Sequence, residues 1–258
     1  MLRRYSAHLG YMFTEYPLED RFAAARAAGF DFVEHPGTYA LPGARVAELC
    51  QENNLSFVQM ALPSGNPAHG EKGIACLPGR EDDFRTSVET GLAYARQIGS
   101  RYVHVMSGLR PNGVPAPDVW STYIGNLRYA CDAAAAEGLP VLIEPIGFAT
   151  IADYFIDHPG IALRAIDDVA SANLSMLFDA FHATNAGVDP VEFVRKHHDR
   201  ISHVHIADHP GRHEPGTGNL DFKTFFDELD RAAYPGAIGL EYVPAGDTLA
   251  GLGWRDTH

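Results

Sequence analysis

Four short apolar stretches of this chain each end in a side chain able to bind a divalent cation. VLIEP ends near Glu144, SMLFD ends at Asp179, SHVHIAD carries His205 and AIGLEY carries Glu241. An apolar run of this length bounded by turn signals reads as a buried strand. The intervals between the four residues are roughly 25–35 residues, about the length of a strand–helix–strand unit. Four such ligands at the same ends of successive parallel strands converge on one point. This pattern strongly limits the folds open to the chain.

The rest of the sequence has the same grammar. YSAHLGYM is a first strand, and Pro17 opens a helix over LEDRFAAARAAG that stops at Gly29. FDFVEH, the helix GARVAELCQENN and LSFVQMAL complete a βαβαβ series. Then comes PSGNPAHGEKGIACLPGR, whose prolines and glycines exclude a helix or a central strand. Its charged and apolar residues favour an ordered flap. A helix over EDDFRTSVETGLAYARQIG leads to the strand RYVHVMSG, and a second helix spans about Val119 to Glu137. LPVLIEP, LSMLFDAFH, RISHVHIAD and AIGLEYVP are strands five to eight, separated by helical segments, and DTLAGLGW forms a short closing helix. At 258 residues with 46% hydrophobic residues, the chain suits one (β/α)8 TIM barrel, an α/β fold occupying residues 1–258 as a single domain.

In such barrels the functional groups sit at the C-terminal strand ends. Three carboxylates and one imidazole (Glu144, Asp179, His205 and Glu241) make a hard, mostly oxygen site. It suits one Mg2+ or Mn2+, with Zn2+ or Co2+ also compatible. Singly, a strand-end acid is an ordinary helix cap or ion-pair partner, but burying three together without a cation is costly. Glu144 and Glu241, from strands five and eight, can flank a substrate and act as acid and base on a carbon beside a carbonyl. His182 can donate to the carbonyl oxygen or serve as a loop residue capping a helix. Arg212, in the glycine-rich stretch GRHEPGTG, can hold a substrate carboxylate or hydroxyl, or pair with Glu214. His8, Glu34 and His104 also fall at strand ends and read as barrel-interior packing or hydrogen bonding.

These residues resemble the xylose isomerase-like barrel superfamily and, within it, the hydroxypyruvate isomerase family. The resemblance runs over nearly the whole chain. LPSGNPAHGEKGIACLPGRE resembles the family's flap; VLIEPI, HVHIADHPGRHEPGTG and GLEYVP resemble its signatures after strands five, seven and eight. It implies a metal-dependent isomerase of small hydroxy-oxo acids such as hydroxypyruvate or 2-oxotetronate. The metal role then falls on Glu144, Asp179, His205 and Glu241, the catalytic role on Glu144 and Glu241, and substrate contact on His182 and Arg212. This chain departs from the pattern at His205, where the family usually has glutamine and the ketose 3-epimerases have histidine. It departs again at GFATIADYF, which lacks a potential carboxylate-binding arginine, and at FDAFHATNAG. The alternative outcome is therefore a 3-epimerase of free ketoses.

Two other classes fit less well. A nuclease of the endonuclease IV type needs an Asp-x-His after strand seven, where this chain reads PGTGNLDF. A net charge of −13 opposes both nucleic acid and anionic membranes as partners. A noncatalytic metabolite-binding barrel would have little use for both glutamates and all four ligands. Cys50, Cys76 and Cys131 fit no disulfide or CxxC framework, and MLRRYSAHLGYMFTE lacks a signal peptide's apolar run. The expected setting is the cytoplasm, the expected partner a small oxo acid or ketose, and homo-oligomerisation is left open.

Overall fold

The computed structural model describes residues 3–256. Nine parallel strands are β1 (Tyr5–His8), β2 (Phe32–Glu34), β3 (Ser56–Phe57), β4 (Gln59–Ala61), β5 (Tyr102–His104), β6 (Val141–Ile143), β7 (Leu174–Asp179), β8 (Ile201–Ile206) and β9 (Ile238–Leu240). They are ordered β3-β2-β1-β9-β8-β7-β6-β5-β4. The expected third strand is split at Val58, so that β3 pairs with β2 and β4 with β5. Val58 joins both neighbours, donating from its N–H to Val33 O and accepting at its carbonyl from Tyr102 N. One stave in two pieces therefore closes an eight-stave barrel.

Outside lie α1 (Leu18–Ala27), α2 (Gly43–Glu52), α3 (Glu81–Ile98), α4 (Ala116–Ala136), α5 (Pro159–Val169), α6 (Ala180–Asn185), α7 (Pro190–His197) and α8 (Phe222–Arg231), and 3-10 turns include Ala250–Asp256. Pro17, Pro42 and Pro115 stand at the N-caps of α1, α2 and α4. Helix α4 thus begins three residues before the expected Val119. Helix α6 was not legible as a separate element. Asp179 caps it, its Oδ1 accepting from Phe181 N and His182 N at 2.7 and 3.2 Å. The core lies between helices and sheet. A smaller cluster of Val58, Tyr102, Leu142 and Leu177 is packed separately from it. Because side chains alternate along a strand, the residues two positions on from Tyr102, Leu142 and Leu177 are His104, Glu144 and Asp179.

The flap is ordered, as its composition suggested. Gly73 N donates to Ser64 O, Cys76 N to Ser107 O and the buried Asn126 side chain of α4 to Ala75 O. Glu71 accepts from Asn66 N at 2.6 Å and pairs with Arg80 at 2.9 Å. Gly73 has φ +107, and a Cβ there would lie 2.3 Å from Met106 O, so only glycine lets the flap approach the exit of β5. Among the described residues no helix is long and apolar enough to cross a membrane.

Candidate active site

The four strand-end residues meet. Glu144, Asp179, His205 and Glu241 each offer one ligand atom, and these atoms lie within 4.8 Å of one another. The first three are almost wholly buried and Glu241 is slightly more open. Three of them have buried atoms with no hydrogen-bond partner: Glu144 Oε1, Asp179 Oδ2 and both ring nitrogens of His205, of which Nδ1 faces the other ligand atoms. Leaving such groups unpaired is costly. Three orphaned lone-pair atoms from three different strands, gathered around one point, form a donor set suited to a divalent cation.

The remaining atoms of these side chains face other polar groups of the strand ends. Asp179 spends Oδ1 on the first turn of α6. Glu241 has His8 Nε2 3.3 Å from Oε1 and takes the Arg212 guanidinium on Oε2. His205 turns Nε2 toward Glu34, with 2.6 Å between Nε2 and Oε1. Glu144 is held least, with His104 Nε2 at 3.9 Å. The two glutamates are consequently unlike. Burial, followed by the charges of Glu241 and Asp179, pushes Glu144 well above the usual carboxylate range. Burial acts on Glu241 in the same sense, but His205, His8 and Arg212 outweigh it and hold Glu241 below that range. Burial lowers His8, His104 and His182.

Both expected substrate-contact residues belong to this site. His182 lies in α6, with Nε2 3.8 Å from Asp179 Oδ2 and Nδ1 3.2 Å from Thr150 Oγ1. The cap of that helix is Asp179, which removes the capping alternative for His182. Arg212 reaches back over the strand ends to Glu241, its guanidinium also lying 5.0 Å from the centre of the Tyr11 ring and 5.4 Å from that of Phe181. Glu214 instead accepts from Ala245 N. The loop carrying Arg212 is organised by the buried Asp208, whose carboxylate accepts from the backbone N–H groups of His209, Gly216, Gly218 and Leu220.

Of the two readings given for His8, Glu34 and His104, packing or hydrogen bonding, Glu34 takes the second through His203, and each of the three approaches one of the four strand-end residues. With Tyr11, His35, Gln59, Met106, Thr150 and His182, two of them (His8 and His104) line a cavity of about 370 Å3 that opens onto Glu144, His205, Arg212 and Glu241. A larger hollow of about 920 Å3 lies between α4 and α5, around Trp120, Arg128 and Arg164. It contains none of the four strand-end residues and sits on the outer face of the barrel.

Residues 22–258 match the family model described as xylose isomerase-like TIM barrel. The chain is 39% identical to the 2-oxo-tetronate isomerase of Cupriavidus necator, with 97% of this chain and 96% of that protein aligned. It is 35% identical to the hydroxypyruvate isomerase of Escherichia coli, over 99% of both. A crystal structure from Brucella melitensis described as an AP endonuclease, family 2, superposes with a TM-score of 0.96 at 36% identity, covering 99% of both chains. Fold, strand-end residues and full-length similarity agree: the chain belongs to the xylose isomerase-like TIM-barrel family and, within it, to the hydroxypyruvate isomerase group of isomerases.

Proposed function

We propose that this isomerase interconverts the hydroxyl and carbonyl of a small hydroxy-oxo acid, of the hydroxypyruvate or 2-oxotetronate kind, with one divalent cation held by Glu144, Asp179, His205 and Glu241. The observation that carries the reading is the convergence of Glu144 Oε1, Asp179 Oδ2 and His205 Nδ1, each buried and unpartnered, beside Glu241. The substrate class is supported by the full-length similarity to isomerases of those two acids. A Mg2+ or Mn2+ ion bound there would polarise the carbonyl and stabilise the negative charge that builds on neighbouring oxygens as the adjacent C–H bond breaks.

The protein's own groups handle the protons. Glu241, paired with the Arg212 guanidinium, suits the base that takes a proton from the hydroxyl-bearing carbon. Glu144, on the other side of the cavity, suits the group that returns a proton to the former carbonyl carbon, while the hydroxyl proton moves to the neighbouring former carbonyl oxygen. In the reverse direction the roles exchange. His182 and Arg212 border the same cavity and orient the carbonyl and carboxylate ends.

The test is an NMR-monitored panel with added Mg2+ or Mn2+, offering hydroxypyruvate, 2-oxotetronates and free tetruloses, pentuloses and hexuloses. Turnover of an oxo acid is expected. Turnover of ketoses alone would replace this reading by a 3-epimerase. Metal-dependent nicking of abasic duplex DNA without turnover of any panel member would overturn both.

A further inference from the structure

The metal-facing side of His205 has a counterpart on its other side that the reaction scheme does not use. Glu34, from β2, is fully buried and lies between two histidines of β8. Its Oε2 is 3.0 Å from His203 Nε2 and its Oε1 is 2.6 Å from His205 Nε2. On the opposite edge of the same ring, Nδ1 is 4.0 Å from Glu144 Oε1 and 3.8 Å from Glu241 Oε2; Nδ1 has no hydrogen-bond partner, and Nε2 and Glu34 Oε1, though 2.6 Å apart, are not aligned as a hydrogen bond.

The close approach of Glu34 to His205 depends on a third strand. Gly239 of β9 stands beside His205 in the register of β8 and β9. A Cβ at that position would lie 2.3 Å from Glu34 Oε1, 2.5 Å from His205 Cδ2 and 2.9 Å from His205 Nε2. Any side chain at 239 would occupy the space in which carboxylate and imidazole meet.

We infer that Glu34 and Gly239 are positioning residues that fix the His205 ring, with Nε2–H given to Glu34 and Nδ1 presented to the cation. This rests on the proposed four-residue metal site. Glu34, His203 and His205 are also close enough to suggest a second ion. The 2.6 Å contact argues against it, since two ligand atoms at about 2 Å from one ion stand roughly 3 Å or more apart. That gap suits a shared proton. A histidine ligand whose other N–H is held by a carboxylate keeps its tautomer and ring orientation, and losing that partner weakens metal binding about 10–100-fold.

The experiment measures Mn2+ affinity by EPR on the metal-stripped full chain, with fold checked by near-UV circular dichroism. Glu34→Gln and Gly239→Ala should each weaken binding 10–100-fold, and Asp179→Asn should abolish it. Wild-type affinity in folded Glu34→Gln and Gly239→Ala, alongside loss in Asp179→Asn, would overturn the positioning role and leave the metal site standing. Failure of the wild-type chain itself to bind Mn2+ would remove the metal reading beneath it. A measurement on the Zn2+-loaded wild-type chain avoids dependence on folding of either variant. Histidine 15N spectra should show His205 with the metal on Nδ1 and the proton on Nε2, and the reverse arrangement would refute the proposal.

Discussion

Asp208→Asn isolates the loop that brings Arg212 to the site. One oxygen of Asp208, Oδ2, takes Gly216 N and Gly218 N at 2.8 Å each, while Oδ1 takes His209 N and Leu220 N at 2.8 and 3.1 Å. The carboxylate is 1% exposed. An asparagine retains one accepting oxygen and replaces the other with an NH2 group, itself a donor. Two backbone N–H groups then face a donor in a buried site. At about 1–3 kcal/mol for each unsatisfied buried group, the loss is about 2–6 kcal/mol. It falls on residues 209–220, so the loop can open before the barrel does, which limits the global loss to the free energy of that local opening. Amide hydrogen exchange should show Gly216 and Gly218 losing protection, urea unfolding should show a loss up to that size, and kcat/KM should fall as Arg212 leaves Glu241. Unchanged exchange at both glycines with a stability loss under about 1 kcal/mol would refute the reasoning.

Three further outcomes are expected. Adding Mn2+ to the metal-stripped chain at about 100 times its Kd should stabilise it by about 2.7 kcal/mol, read as a rise in Tm that chelation reverses. Asn126→Ala removes the side chain that caps Ala75 O, and leaving that buried carbonyl unpaired should cost about 1–3 kcal/mol in urea unfolding and raise proteolytic nicking within residues 63–80. Gly73→Ala should loosen the same flap, because the added methyl meets Met106 O while φ is +107, again read by proteolysis.

The alternation of strands and helices was legible because each buried strand is an apolar run and each helix repeats every three or four residues, as in α3 with Phe84, Val88, Leu92 and Ala95 buried. Glu144, Asp179, His205 and Glu241 were legible because a polar residue breaking an apolar strand end is conspicuous. Helix α6 was not, because its six residues carry no full amphipathic period and its start depends on what Asp179 does with one oxygen. Glu34 looked like one more barrel-interior residue. Its partners are His203 and His205, 169 positions away in the first case, so no local spacing points to the contact. Gly239 is still less visible: a glycine inside a strand shows what it makes room for only when the opposing side chains are placed. The split at Val58 likewise follows from closing the barrel and leaves no mark in the mostly apolar LSFVQMAL.

Metal-dependent proton transfer by the two glutamates is tested most directly in D2O. The metal-stripped chain is given hydroxypyruvate or a 2-oxotetronate, and 1H NMR follows deuterium entering the carbon beside the carbonyl, before and after Mn2+ or Mg2+ is restored. The expected result is no exchange without metal, exchange with it, and none in metal-loaded Glu144→Gln or Glu241→Gln. Exchange at the wild-type rate in the stripped chain or in either variant would contradict the account.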